Sequence, residues 1–251
     1  MNNERNMKVG LVKLVRDILP MTYGLLGIKA YYSFSYSALK SVLGEHYKKW
    51  NFNPFNYYEF GTGEGYSLKY FLMALKKNLH HFDINLKKFN IFLFDSFEGL
   101  PEYSDSKDKN PAWQKGQFKG DIDRIKKIIS KVLPEILPNV KFIKGYYEKT
   151  LTEELRNSII GYPPSIVNID VDYYQSTKSV LEWIYSITQD GTIFYFDDIW
   201  EYLGKLSKGE YRAIDEFNKR HLKDKIQLYP FDNFGIPSYT GKIFTLNRIE
   251  D

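Results

Sequence analysis

The sequence predicts an α/β fold: a mostly parallel sheet wound with helices on both faces, finished by a C-terminal antiparallel strand and preceded by a helical N-terminal cap. Three observations carry this. Short apolar runs alternate with helix-period segments from Tyr57 onward. The runs are continuously apolar, as strands covered on both faces are, which favours parallel pairing. The last two runs, "KIQLYPF" and "KIFTLNR", are joined only by a loop, so they read as a terminal hairpin.

Taken in order, residues 1–50 form a mostly helical cap, and "NFNPFN" at 51–56 is its connector to a single globular unit, 51–251. Strands are expected at 57–60, 89–95, 139–145, 165–170 and 192–198, with helices at about 66–79, 121–133, 150–160, 175–188 and 208–220. Two of these helices carry a hydroxyl followed three residues later by an acid, Thr150 with Glu153 and Ser207 with Glu210. That is the capping-box spacing, in which the two side chains satisfy orphan amides reciprocally.

Composition excludes several classes. There are no cysteines, which removes disulfides, thiolate metal sites and cysteine nucleophiles together. Any metal must be held by oxygen or by the four histidines. The net charge of +4 is spread along the chain without a basic stripe interleaved with aromatics, so no nucleic-acid partner is expected. No apolar run approaches the ~20 residues of a membrane span. The basic, amphipathic start lacks the long apolar region of a signal peptide, and a cytoplasmic protein is expected.

The stretch "YYEFGTGEGYS", 57–67, places Glu59 and three alternating glycines at the end of the first strand. In an open α/β sheet that is where ligands bind. A Rossmann-like dinucleotide turn has glycine at the position held here by Tyr66, and no Gly-Lys-Ser/Thr follows for a phosphate loop. The acid-x-Gly-x-Gly-x-Gly pattern resembles the first motif of class I S-adenosylmethionine-dependent methyltransferases. A glycine-rich turn that binds nothing is the competing reading. The second strand ends in Asp95, placed either to accept hydrogen bonds from ribose hydroxyls or merely to cap a turn.

Two later strands end in acids: "NIDVD" gives Asp170 and Asp172, and "YFDD" gives Asp197 and Asp198. Carboxylates gathered at neighbouring strand ends repel one another unless a cation neutralises them. Oxygen-only ligands suit magnesium or another divalent ion. Each acid could instead cap the helix or turn that follows it.

In order, "FDSFEGLPE", "NVKFIKGYYEKTL", "IDVDYYQSTKSVLEWIY" and "GTIFYFDDI" resemble the macrocin O-methyltransferase family over about residues 57–199. The resemblance implies an enzyme that methylates a hydroxyl of a sugar or glycan-containing small-molecule acceptor, using S-adenosyl-L-methionine and Mg2+ or another divalent cation. It implies that Asp170, Asp197 and Asp198 bind the metal and that Asp172, or Asp170 itself, takes the proton. For the cofactor it implies Glu59, Gly61, Gly63, Gly65 and Ser67 on the methionine side and Asp95 on the ribose. Ser96 and Phe97 would flank the adenine, which Asp121 or Asp123 could also reach, although Asp121 equally suits a helix cap. Where the family motif reads Asp-Gly-Asp, this chain has Val171. Methylation of a catechol-like diol, a non-catalytic cofactor-binding protein and a nicotinamide-dependent reductase are the alternatives. A homodimer packed through the aromatic N-terminal segment is a further expectation.

Overall fold

Six consecutive buried residues, Phe55–Phe60, make strand β1 the spine of the molecule. Successive side chains of a strand point to opposite faces. Tyr57 accordingly stacks on Phe71 with ring centroids 3.9 Å apart on one face, while Tyr58 stacks on Phe92 at 4.5 Å and Phe60 on Phe94 at 4.3 Å on the other. Burying each such ring contributes roughly 1.5–3 kcal/mol, which is why a run with no polar alternation forms a central strand. The computed structural model describes residues 39, 43, 44, 55–82, 84–102, 108–111, 113–230 and 241–249.

After β1 the chain forms helix α1 (Tyr66–Phe82), β2 (Phe89–Asp95), α2 (Ile122–Val132), β3 (Val140–Lys144), the single turn α3 (Tyr147–Thr150) and α4 (Glu153–Ile159). Then come β4 (Ile166–Ile169), α5 (Tyr174–Ile184), β5 (Ile193–Phe196), α6 (Gly209–His221), β6 (Ile226–Pro230) and β7 (Lys242–Arg248). The seven strands form one sheet in the order β3-β2-β1-β4-β5-β7-β6. β1 to β5 pair in parallel, and β7 runs antiparallel to both β5 and β6. The expected terminal hairpin is therefore present, with β7 inserted beside β5.

The order reverses between β1 and β4. The chain winds outward through β2 and β3 in one direction, then through β4 and β5 in the other, and this opens a crevice beyond the carboxyl ends of β1 and β4. One core layer, with Phe71, Leu72, Ile125 and Ile129, lies under α1 and α2; the other, with Val167, Ile169, Trp183 and Phe217, lies under α5 and α6. The proposed N-terminal cap falls outside the described residues except for Leu39, Leu43 and Gly44; the two leucines are helical and wholly buried in the first layer.

Both capping boxes need correction. The helix expected at 150–160 is two pieces, because Thr150 ends α3 with its hydroxyl donating back to the Tyr146 carbonyl at 3.2 Å. The cap of α4 is Thr152, whose extended backbone lets its side chain accept from the Leu155 N–H at 3.2 Å. At α6 the N-cap is Lys208 with no side-chain cap bond. Glu210 turns inward to the sheet instead of back to Ser207.

Candidate active site

The glycine turn is built by close approach. A Cβ on Gly61 would lie 1.6 Å from the Asp170 carbonyl oxygen, so the end of β1 runs directly against the end of β4, and its φ of +81° is one that side chains resist. A Cβ on Gly65 would press on Ile125 of α2 at 3.0 Å. Gly63 differs: nothing lies within 4 Å of where its Cβ would be, so the space beside its Cα is open.

Two carboxylates hold that turn. Glu59 is fully buried, taking the Ser67 hydroxyl on Oε1 at 2.5 Å and the Tyr57 hydroxyl on Oε2 at 2.7 Å. Burial pushes its pKa up to about 7 against the opposing effect of those two hydrogen bonds. Glu59 and Ser67 thus pin the start of α1 to the end of β1 from beneath. Asp95 accepts the Gly63 N–H at 2.7 Å and the Phe97 N–H at 2.6 Å, one on each oxygen. Each carboxylate oxygen can accept twice, so Asp95 keeps capacity for hydroxyl donors. Burial raises its pKa despite these two amides.

The remaining residues of this half have local jobs in the structure. The Ser96 hydroxyl closes a turn, donating to the Gly99 carbonyl and accepting the Glu98 N–H, both at 3.0 Å. Phe97 is buried in the core layer under α1. Asp121 caps α2 by accepting the Arg124 N–H at 3.0 Å, while its own N–H reaches the Gly63 carbonyl at 3.3 Å and ties that helix to the turn.

Across the crevice are the acids of β4 and β5. Carboxylate oxygens of Asp170, Asp172 and Asp198 lie within 4.8 Å of one another. The turn after β4 accommodates Val171, which is buried, by placing Asp172 in the left-handed region at φ +61°. The Asp172 N–H then donates to Asp198 Oδ2 at 3.2 Å. Asp197 stands outside the group of three, its Oδ1 accepting the Tyr195 hydroxyl at 2.6 Å, although after burial its charge does most to raise both Asp170 and Asp172.

Among the described residues no lysine or arginine pairs with Asp170, Asp172 or Asp198. Burial first, and then the neighbouring carboxylates, push Asp170 and Asp198 well above the ordinary range and Asp172 up to about 7. An all-oxygen carboxylate set, with Asp198 buried and Asp170 and Asp172 half-buried, is the donor chemistry that magnesium, manganese or calcium takes. The residues present therefore fit a hard divalent cation.

Two side chains that sequence reasoning left unassigned also belong here. The Tyr147 hydroxyl donates to the Phe94 carbonyl at 3.4 Å, and its pKa is raised by burial and then by Asp95, Asp170 and Asp172, which places it between the two halves of the crevice. Glu210 accepts the Asp198 N–H on Oε2 at 2.8 Å. Tyr147 lies in a stretch whose family resemblance was visible, but nothing in the stretch singles it out. Glu210 gave only the misleading capping signal.

Beside these acids a cleft of about 280 Å3 is lined by Glu102, Asp108, Tyr146, Lys149, Tyr173 and Gln175. Tyr146 precedes Tyr147 in the chain and Tyr173 follows Asp172, so the cleft adjoins the carboxylates. Asp108 shapes it by accepting the Tyr174 and Gln175 amides at the start of α5, at 2.5 and 3.2 Å. Trp113 packs edge-on against Tyr173 and Tyr202 and is buried, which leaves it no face for stacking a ligand.

A family model described as macrocin-O-methyltransferase (TylF) matches residues 72–236. None of the curated proteins matches the chain. Among solved structures, the O-methyltransferase NovP superposes with a TM-score of 0.58 at 17% identity, covering 84% of this chain and 78% of that one. CalS11, a calicheamicin methyltransferase, gives 0.59 at 18% identity, covering 84% and 77%. An O-methyltransferase from Bacillus cereus in complex with SAH gives 0.50 at 13% identity, covering 94% and 96%. At these identities the structural matches speak for the fold.

Proposed function

Because this chain belongs to the macrocin O-methyltransferase family and is an S-adenosylmethionine-dependent O-methyltransferase, we propose that it methylates a hydroxyl of a sugar or glycan-containing small molecule with help from a divalent cation. The observation that carries the cation is the set of three carboxylates within 4.8 Å of one another at the tips of β4 and β5. The acceptor class is supported by the family and by the description of one similar structure, CalS11, as a TDP-rhamnose 3'-O-methyltransferase.

In this reading Gly63, whose missing side chain leaves room, and Asp95, with the lone pairs its two amides leave over, would hold S-adenosylmethionine. Glu59, with the Tyr57 and Ser67 hydroxyls on its two oxygens, holds the turn in shape. Asp170 and Asp198 would hold the cation; Asp197, the third ligand that the resemblance implies, stands outside the close group of three. When bound, such a cation lowers the pKa of an acceptor hydroxyl and orients it. Asp172 would receive the hydroxyl proton on its carboxylate as the acceptor oxygen bonds to the methyl carbon and the bond from that carbon to the sulfonium sulfur breaks, leaving the demethylated thioether. Without the cation, burial and the neighbouring carboxylates raise Asp172 to about 7; a bound cation opposes that rise, so the activation of the hydroxyl would come chiefly from the cation. The rest is alignment, which accounts for the larger share of the rate in such a transfer.

The acceptor is tested by incubating purified protein, methyl-labelled S-adenosylmethionine and magnesium with a panel of free sugars, glycosides and catechols. Label on a sugar hydroxyl is expected. Label on catechols alone would overturn the acceptor class and leave the methyltransferase assignment standing.

A further inference from the structure

Glu210 is the acid that neither the sequence nor the reading above puts to use, and its position is unusual. It is the second residue of α6, fully buried, on a helix that otherwise packs on α5 and β6. Its Oε2 accepts the Asp198 N–H at 2.8 Å. Asp198 in turn accepts the Asp172 N–H at 3.2 Å. Through Asp198, one side chain of α6 is therefore linked to the turn after β5 and to the turn after β4. Its Oε1 is buried with no hydrogen-bond partner. A carboxylate brought into an anionic pocket with half its capacity unused is costly to bury, so the other half has to matter to the pocket.

We propose that Glu210 is a positioning residue that holds Asp198 by its amide, and through Asp198 the Asp172 amide, and so sets the spacing of these carboxylates and tunes cation binding without contacting the cation. This rests on the cation reading given above. Partners behind metal ligands are commonly worth 10–100-fold in affinity or activity. The inference separates reach from charge. Glu210→Gln keeps a carbonyl oxygen at full length for the Asp198 amide and loses the charge. Glu210→Asp keeps the charge and is one methylene too short to reach that amide.

The test is a titration of metal-free protein with Mn2+, read by the electron paramagnetic resonance of the free ion, on wild type and both variants. Affinity for the demethylated cofactor and thermal midpoint in chelator serve as controls on folding. We expect Glu210→Asp to weaken Mn2+ binding by about 10–100-fold while cofactor affinity changes less than about threefold, and Glu210→Gln to recover most of the loss. The reverse order, with aspartate near wild type and glutamine impaired, would show that charge matters and would overturn the clamp. Both variants binding as wild type would also overturn it. A wild-type protein that binds no Mn2+ would remove the cation reading itself, and this inference with it.

Discussion

The two walls of the crevice are made of the same residue types and behave in opposite ways. On the β1–β2 side, each carboxylate oxygen of Glu59 and Asp95 already has a donor from the protein: two hydroxyls for the first, two backbone amides for the second. On the β4–β5 side, Asp170, Asp172 and Asp198 face one another, and the principal influences on each are burial and further carboxylates. A satisfied acid builds a shape, and the first wall is finished by the chain alone. The crowded acids of the other wall are, under the proposal above, completed by a cation.

The strongest way to break this contrast is at the seam the walls share. Gly61→Ala would drive a methyl group onto the Asp170 carbonyl at a φ of +81°. We expect a loss of at least about 3 kcal/mol, visible in denaturant melts, with cofactor and cation binding both impaired in whatever folds. Binding that failed on one side only would show the walls to be less connected than the backbone contact implies.

Asp172→Asn should act on one wall alone. Removing the proton acceptor is expected to lower kcat by about 10²–10⁴, with affinity for the demethylated cofactor, measured by calorimetry, essentially unchanged. A matching loss of cofactor affinity would contradict the separation.

Acidity sharpens the comparison further. Glu59 titrates near 7, against an ordinary value of 4.5, and Asp170, Asp198 and Glu210 are shifted in the same direction. A carboxyl raised in the folded state holds a proton that the unfolded chain has already lost. Its contribution is fully present below about pH 4.5 and disappears as pH rises through 7. Metal-free protein should therefore melt at progressively lower temperature from pH 5 to pH 8, and Mn2+ should reverse the fall on the β4–β5 wall, most at the alkaline end. A melting temperature indifferent to both pH and cation would mean that the acids are not crowded.

The smallest effect belongs to the rim. Arg124 meets Glu64 at 2.6 Å and the Tyr66 hydroxyl at 2.8 Å, but both charged partners are substantially exposed. Arg124→Ala is expected to cost less than about 1 kcal/mol and to shift the cofactor KM no more than about twofold. A larger change would make this pair part of the cofactor wall.

How much of this could be read in advance divides along the same line. Buried strands announce themselves, so β2 at Phe89–Asp95 and β7 at Lys242–Arg248 coincide with the apolar runs that name them. The acids after β4 and β5 were legible because strand ends in a parallel sheet converge whatever the details. The supporting role of Glu59 was not, since its partners Tyr57 and Ser67 meet it only once the turn is folded. Glu210 reaches the site through the packing of α6, a tertiary fact with no local signature; the left-handed turn at Asp172, taken where Val171 replaces glycine, is of the same kind.

The central claim is that the β4–β5 carboxylates close around a divalent ion. It is tested most directly by Mn2+ titration of chelator-treated protein in parallel with methyl transfer, on wild type and Asp170→Asn. One ion per chain, transfer that rises with its occupancy, and loss of both in the variant with cofactor binding retained are expected. Full transfer in excess chelator, with no bound ion, would contradict it.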